Sequence, residues 1–272
     1  MKLRAVLYLF SCLIVLVFTS CNNNSVKKNT PADSLGNITG MDSLDYGITP
    51  QNKIDSSFAG FYQSDLNCKD CKVVQTLLLE PDGRFVLEDL RKDSLKTMHE
   101  YKGTWAFTDS TIILFEQKAI VGKYEITGNK IRTIERQGLI LPDSIADKNI
   151  LSKKPSVIEN KVWQNKKHDG ISFYGIGTEP FWNLTLIWDS IISFNQMDEE
   201  TIIFNFQQPV INSDSLIFTP AKDFNITLIH GICNDGMSDY FYDYKVILKK
   251  DSIVYSGCGF LLNKKSDFIS VQ

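Results

Sequence analysis

Beyond about residue 58 the chain is written in short runs of β-branched and aromatic residues separated by turn residues, and no stretch of useful length carries a helical period. The first group reads VVQTLLLE, RFVLEDL, YKGTWAF, TIILFE, GKYEIT and KIRTIER. A second reads GISFYGIG, FWNLTLIWD, SIISFNQ, TIIFNFQ, SLIFTP, FNITLIHG, YDYKVILKK and SIVYSGCGF. Several alternate polar and apolar residues, as half-buried strands do. Pro81-Asp82-Gly83, Thr127-Gly128-Asn129, Asn212-Ser213-Asp214 and Lys250-Asp251 have the chemistry of hairpin turns. Regular short strands of this kind predict an all-β protein, built as barrels or sandwiches.

The rhythm lapses between about Ser144 and His168, where Lys, Asn, Pro and Asp cluster. A domain boundary belongs there. The expected organisation is a first β domain over 58–152, a linker over 153–168 and a second β-rich barrel or sandwich over 169–272. No repeat relates the two halves.

The N-terminal segment MKLRAVLYLFSCLIVLVFTSC has Lys2 and Arg4 ahead of an apolar stretch, then small residues before Cys21. This is the pattern of a secretory signal peptide over 1–20. The apolar run is shorter than the roughly 20 residues needed to cross a bilayer. Its end resembles the lipobox of bacterial lipoproteins, with Phe18 in place of the usual Leu. That resemblance implies acylation of Cys21 and a membrane attachment that does not span. Residues 21–57 are rich in Asn, Ser, Asp, Gly and Thr and poor in large apolar residues. They read as a flexible tether reaching about 30 Å on average. Asn22 after the acylated cysteine, and the absence of early acidic residues in NNNSVKKN, favour the outer membrane and its periplasmic face.

A formal net charge of -3 gives no electrostatic footprint for nucleic acid. Of the six cysteines, Cys12 leaves with the leader and Cys21 carries lipid, so Cys68, Cys71, Cys233 and Cys258 remain. Four cysteines allow three pairings. Proximity favours Cys68 with Cys71 and Cys233 with Cys258.

The pair in CKDC has several chemistries open to it. A thioredoxin-like site needs a helix after the first cysteine, and a β-like run follows instead. Haem attachment needs His after the second cysteine, and Lys72 stands there. Zinc needs two further ligands at comparable spacing. A soft ion, Cu(I), remains, since thiolates select it, with Met98 as a further soft donor. The other reading is a local disulfide, which would contribute only about 2 kcal/mol against roughly 3.5 kcal/mol for a bridge between Cys233 and Cys258.

The run FAGFYQSDLNCKDCKVVQTLLLEPDGRFVLEDL, followed by YKGTWAFTDSTIILF and IERQGLILPDSI, resembles the N-terminal domain of the NlpE family of outer-membrane lipoproteins. The resemblance covers about 100 residues from Phe58 to Leu151. Asn67 and Lys69 replace the family's Pro and Ala, while Asp70 and both cysteines stand. It implies a small lipocalin-like β-barrel on a lipid tether. It also implies a role in copper homeostasis or envelope stress, with a sensor kinase as partner.

The second half carries GTEPFW from Gly177, CNDGMSD from Cys233 and a Gly-Cys close at Cys258. These motifs resemble an uncharacterised β-rich domain of bacterial envelope proteins. If the two loops meet, Glu179, Trp182, Asp235, Met237 and Asp239 form a ligand pocket. The alternative is a tight turn at Asp235-Gly236 with Trp182 in the core. No placed catalytic base or phosphate loop is legible, so the expected activity is not enzymatic. The leading expectation is a lipid-anchored stress or copper protein acting through Cys68 and Cys71. The alternative is an envelope binding or assembly module with structural disulfides.

Overall fold

The computed structural model describes residues 54–68, 71–92, 97–136 and 149–264, with backbone alone at 66–68 and 71. The first half is a closed eight-stranded antiparallel barrel in simple up-and-down order. Its strands are β1 (Gly60–Cys68), β2 (Cys71–Leu79), β3 (Arg84–Arg91), β4 (Met98–Thr108), β5 (Thr111–Glu116), β6 (Ala119–Thr127), β7 (Lys130–Arg136) and β8 (Ile150–Lys154). Strand β8 closes the ring by pairing with both β7 and β1. Closure removes the free edges that an open sheet exposes.

Strand alternation fills the barrel. Tyr62, Leu77, Leu79, Phe85, Leu87, Trp105, Ile112, Leu114, Tyr124 and Ile131 form one buried cluster. A strand facing water on its outer side needs only that set, yet β2 and β3 carry unbroken apolar runs, Leu77-Leu78-Leu79 and Phe85-Val86-Leu87. Strands buried on both faces read this way. Phe61, Leu78 and Val86 point outward and pack against Ile232, Phe241 and Phe260 of the second half. The rings of Phe61 and Phe241 stack at 5.6 Å.

The second half is a nine-stranded sheet of β9 (Phe173–Thr178), β10 (Phe181–Ile187), β11 (Ile191–Gln196), β12 (Ile202–Asn205), β13 (Val210–Asn212), β14 (Ser215–Ala221), β15 (Phe224–Cys233), β16 (Tyr242–Lys250) and β17 (Ile253–Leu261). Its order is β12-β11-β10-β9-β17-β16-β15-β14-β13, so its free edges are β12, of four residues, and β13, of three. Phe173, Phe194, Phe218, Phe224, Leu228 and Leu248 anchor its core. Both halves belong to one compact unit.

The stretch 153–168, expected as a linker, is folded. Strand β8 extends to Lys154, and a short helix, α1, spans Lys161–His168. The side chain of Asn160 accepts from the Val162 N–H to cap it, and three basic residues occupy its last turn. Both features suit a helix end. Eight residues are too few for a period to stand out in the sequence. The helix is held by Trp163, which packs edge-on against Tyr174 and Tyr242 and buries Cys258.

The four turns read from the sequence each join two strands. Gly83 at φ 89° and Gly128 at φ 65° occupy the left-handed region that the β2–β3 and β6–β7 turns require. In the second half glycine serves a different purpose. A Cβ at Gly257 would stand 2.0 Å from the Ile176 carbonyl oxygen and 2.7 Å from the Trp182 ring. Gly257→Ala is therefore expected to destabilise the fold by about 1–3 kcal/mol, the usual cost of overpacking. Denaturant unfolding with the midpoint read at the tryptophans measures it.

Candidate functional site

The two cysteines of CKDC sit where one hairpin ends. Strand β1 stops at Cys68, β2 starts at Cys71, and the two positions are direct register partners. Opposed positions on antiparallel strands have Cβ atoms about 4.5–5.5 Å apart. That separation lies next to the 3.5–4.5 Å of a disulfide. The same spacing lets two thiolates converge on one ion, so the backbone suits either chemistry proposed for the pair.

Alternation places positions 68 and 71 on the same strand face as Tyr62, Ser64, Gln75 and Leu77, the lumen-facing set. Towards this end the lumen turns polar. Arg136 donates to Asp89 at 2.7 Å and to the Val121 carbonyl at 2.8 Å, and stacks over Tyr101 at 4.2 Å. Gln75 donates to the other oxygen of Asp89 at 2.9 Å, while Asn149 bridges Ser64 and Thr133. Buried charges persist only when paired in this way. Because Arg136 is matched by Asp89, the layer brings no surplus positive charge to the cysteine end.

Met98 does not join the pair. It stands opposite Leu90, which stands opposite Val74, so it belongs to the outward set and is 52% exposed. It lies two strands across from β2 and three residues along from position 71. That is about 10 Å in each direction on the opposite side of the wall. Among the described residues no three His, Cys, Asp or Glu side chains gather as a metal-binding set.

The second group of predicted residues is dispersed. Trp182 is buried beneath Gly177 and Gly257 and packs against Phe194. Glu179 precedes Pro180 in an exposed β9–β10 turn. Asp235 is used within its own loop. It accepts from the N–H groups of Met237 and Ser238 at 3.0 and 2.9 Å and from the Tyr242 hydroxyl at 2.8 Å. Burial pushes its carboxyl up, but these hydrogen bonds outweigh burial and hold it below the usual carboxylate range. Met237 projects into solvent, 68% exposed. Asp239 lines a cavity shared with the barrel wall and not with Trp182. The pocket expected from all five residues is not assembled, because the Asp235 loop satisfies itself and the Trp182 strand faces the core.

Cys233 and Cys258 are joined by a disulfide, with Cα atoms 5.6 Å apart. The bridge ties the base of the CNDGMSD loop to β17. No charge pattern in the sequence pointed to the polar groups on the seam between the halves. Lys102 donates to Asp214 at 2.6 Å, Lys245 to Glu88 at 2.8 Å and Lys264 to Asp82 at 3.2 Å. Deeper in, Glu80 receives Arg84 at 3.1 Å, and His230 Nε2 lies 2.9 Å from its other oxygen. Neither of those two atoms has a hydrogen-bond partner among the described residues. Burial first, and then the nearby Glu80 carboxylate, push the Asp243 carboxyl well above its ordinary range.

Residues 62–142 match the family model of the NlpE N-terminal domain. The match runs from within β1 to beyond β7 and lies wholly in the barrel half. Among solved structures, the Cpx pathway activator NlpE from Escherichia coli shares 13% identity at a TM-score of 0.26, over 69% of this chain and 94% of its own. A candidate lipoprotein from Shewanella oneidensis shares 22% identity at a TM-score of 0.29, over 36% of this chain and 89% of its own. No curated protein sequence matches.

The raised Asp243 carboxyl gives a pH dependence of known sign. The folded state binds this proton more tightly than the unfolded chain, whose Asp titrates near 3.9. The stabilisation is complete below that pH and is lost as pH rises toward the folded value, with a slope of up to about 1.4 kcal/mol per pH unit. Asp243→Asn keeps an acceptor for the Leu261 N–H. It is expected to match the wild type near pH 4, exceed it in Tm by several degrees near pH 8, and flatten the Tm profile between them.

Proposed function

We propose that this chain is a lipid-anchored protein of the cell envelope that acts in stress sensing or copper handling through Cys68 and Cys71. The observation that carries the reading is the register pairing of those two positions at the end of the β1–β2 hairpin. The match of residues 62–142 to the NlpE N-terminal domain supports it. Cys21, the expected site of acylation, lies outside the described residues, and attachment at the outer membrane with the folded part in the periplasm belongs to the same proposal. The partner it calls for is an envelope sensor kinase or another envelope protein that reads the state of the hairpin.

The metal that suits two thiol positions without a third donor is Cu(I), because soft ligands select it. Cys68 and Cys71 would hold it, and Met98, on the other side of the wall, would not. Oxidation of the pair to a disulfide removes both ligands, so copper loading and oxidation exclude one another at this site.

A second reading, a binding or assembly module with two structural disulfides, draws on the bridge between Cys233 and Cys258. Intact mass after thiol alkylation separates the two. Two disulfides that persist under mild reductant favour the module.

Reduced full-length protein is expected to bind Cu(I) in competition with a chromogenic chelator and to show thiolate-to-copper absorption. Cys68→Ser should abolish that absorption, while Met98→Leu should leave it in place. Undiminished copper binding by Cys68→Ser would remove the metal role.

A further inference from the structure

Two cavities open along the seam between the halves, and they differ in what their charges are free to do. The larger, about 610 Å³, is bordered by Arg84 and Lys102. Arg84 is engaged by Glu80 and Asp82, and Lys102 by Glu100 and Asp214. The smaller, about 480 Å³, lies between the outer wall of the barrel and the CNDGMSD loop. Val74, Leu90, Ile232 and Phe241 give it apolar walls, and Lys92 and Lys154 stand at its border. Neither lysine forms an ion pair among the described residues. Of the carboxylates lining it, Glu88 is bound to Lys245 at 2.8 Å, which leaves Asp239 against two lysines.

The loop that forms one wall is fixed by its own bonds. The Asn234 side chain accepts from the Gly236 N–H at 2.8 Å and donates to the carbonyls of Ser238 and Tyr240 at 3.2 and 3.0 Å. Asp235 holds the next two N–H groups, and the disulfide secures the base. A wall ordered before a ligand arrives spares the entropy of ordering it on binding. The volume falls within the range of small-ligand sites, which favour junctions between domains.

We propose that this cleft is a binding site for a carboxylate-bearing ligand, held between Lys92 and Lys154 with its apolar part against Val74, Leu90, Ile232 and Phe241. A small dicarboxylic acid and an acidic peptide share that chemistry. The site is separate from the thiol pair and does not depend on the copper or stress reading, so Cys68→Ser leaves it intact.

The test is a ¹H–¹⁵N titration of the full-length protein with succinate in one arm and the peptide acetyl-Gly-Asp-Glu-Ala in the other. The expected result is saturable shifts of amides across 234–241 in at least one arm. Saturation by the peptide alone assigns the site to a peptide, and saturation by succinate assigns it to a small acid. The double variant Lys92→Glu with Lys154→Glu is expected to weaken binding at least about tenfold, as loss of charge-assisted contacts does. Lys130→Glu, at the exposed start of β7, should bind as the wild type does. Thermal melts that match the wild type establish that the double variant is folded. If neither probe moves these amides at 10 mM, or if the folded double variant binds undiminished, the proposal fails.

Discussion

The structure depends on strands β2 and β3 being buried on both faces. An eight-stranded barrel of this size has enough inward side chains to fill itself, and Tyr62, Leu77, Leu79, Phe85 and Leu87 do so. The outward residues Phe61, Leu78 and Val86 then have no use in an isolated barrel and would form an apolar patch in water. Ile232 of β15, Phe241 just before β16 and Phe260 of β17 cover them. The two halves are thus joined by the alternation of two strands, and the ion pairs on either side define the rim of that contact.

The same arrangement explains how charge is distributed. Away from water, a charged group needs a partner within reach. Asp89 and Arg136 meet this need inside the barrel, and Glu80 and Arg84 meet it at the seam. For Asp243 burial prevails, reinforced by the Glu80 carboxylate, and its carboxyl is raised well above the ordinary range. The cysteine hairpin lies apart from the seam, at the end of the barrel where Arg136 and Asp89 make the lumen polar and cancel one another's charge.

Much of this architecture was legible from the residues. Strand alternation and four turn signals located the hairpins, and left-handed φ values at Gly83, Gly128, Ser213 and Asp251 show why those residues stand there. The helix Lys161–His168 was not legible, because eight residues carry too few apolar positions for a period and Trp163 is fixed by distant aromatic rings. The grouping of Glu179 and Trp182 with Asp235 failed for a related reason. A motif shows which residues are unusual but not which face of a strand they occupy. The seam was half visible. The runs Leu77–Leu79 and Phe85–Leu87 signal burial on two sides, but nothing in them names the strands that provide it.

The open sheet of the second half ends in strands of four and three residues, with Pro209 just before the shorter one. An incoming strand gains one ladder of hydrogen bonds for each edge residue it pairs with, and proline offers no donor. Edges this short give a neighbouring molecule almost nothing to extend. Among the described residues the barrel strands form a closed ring, so copies of the chain crowded side by side meet few places where their sheets could merge.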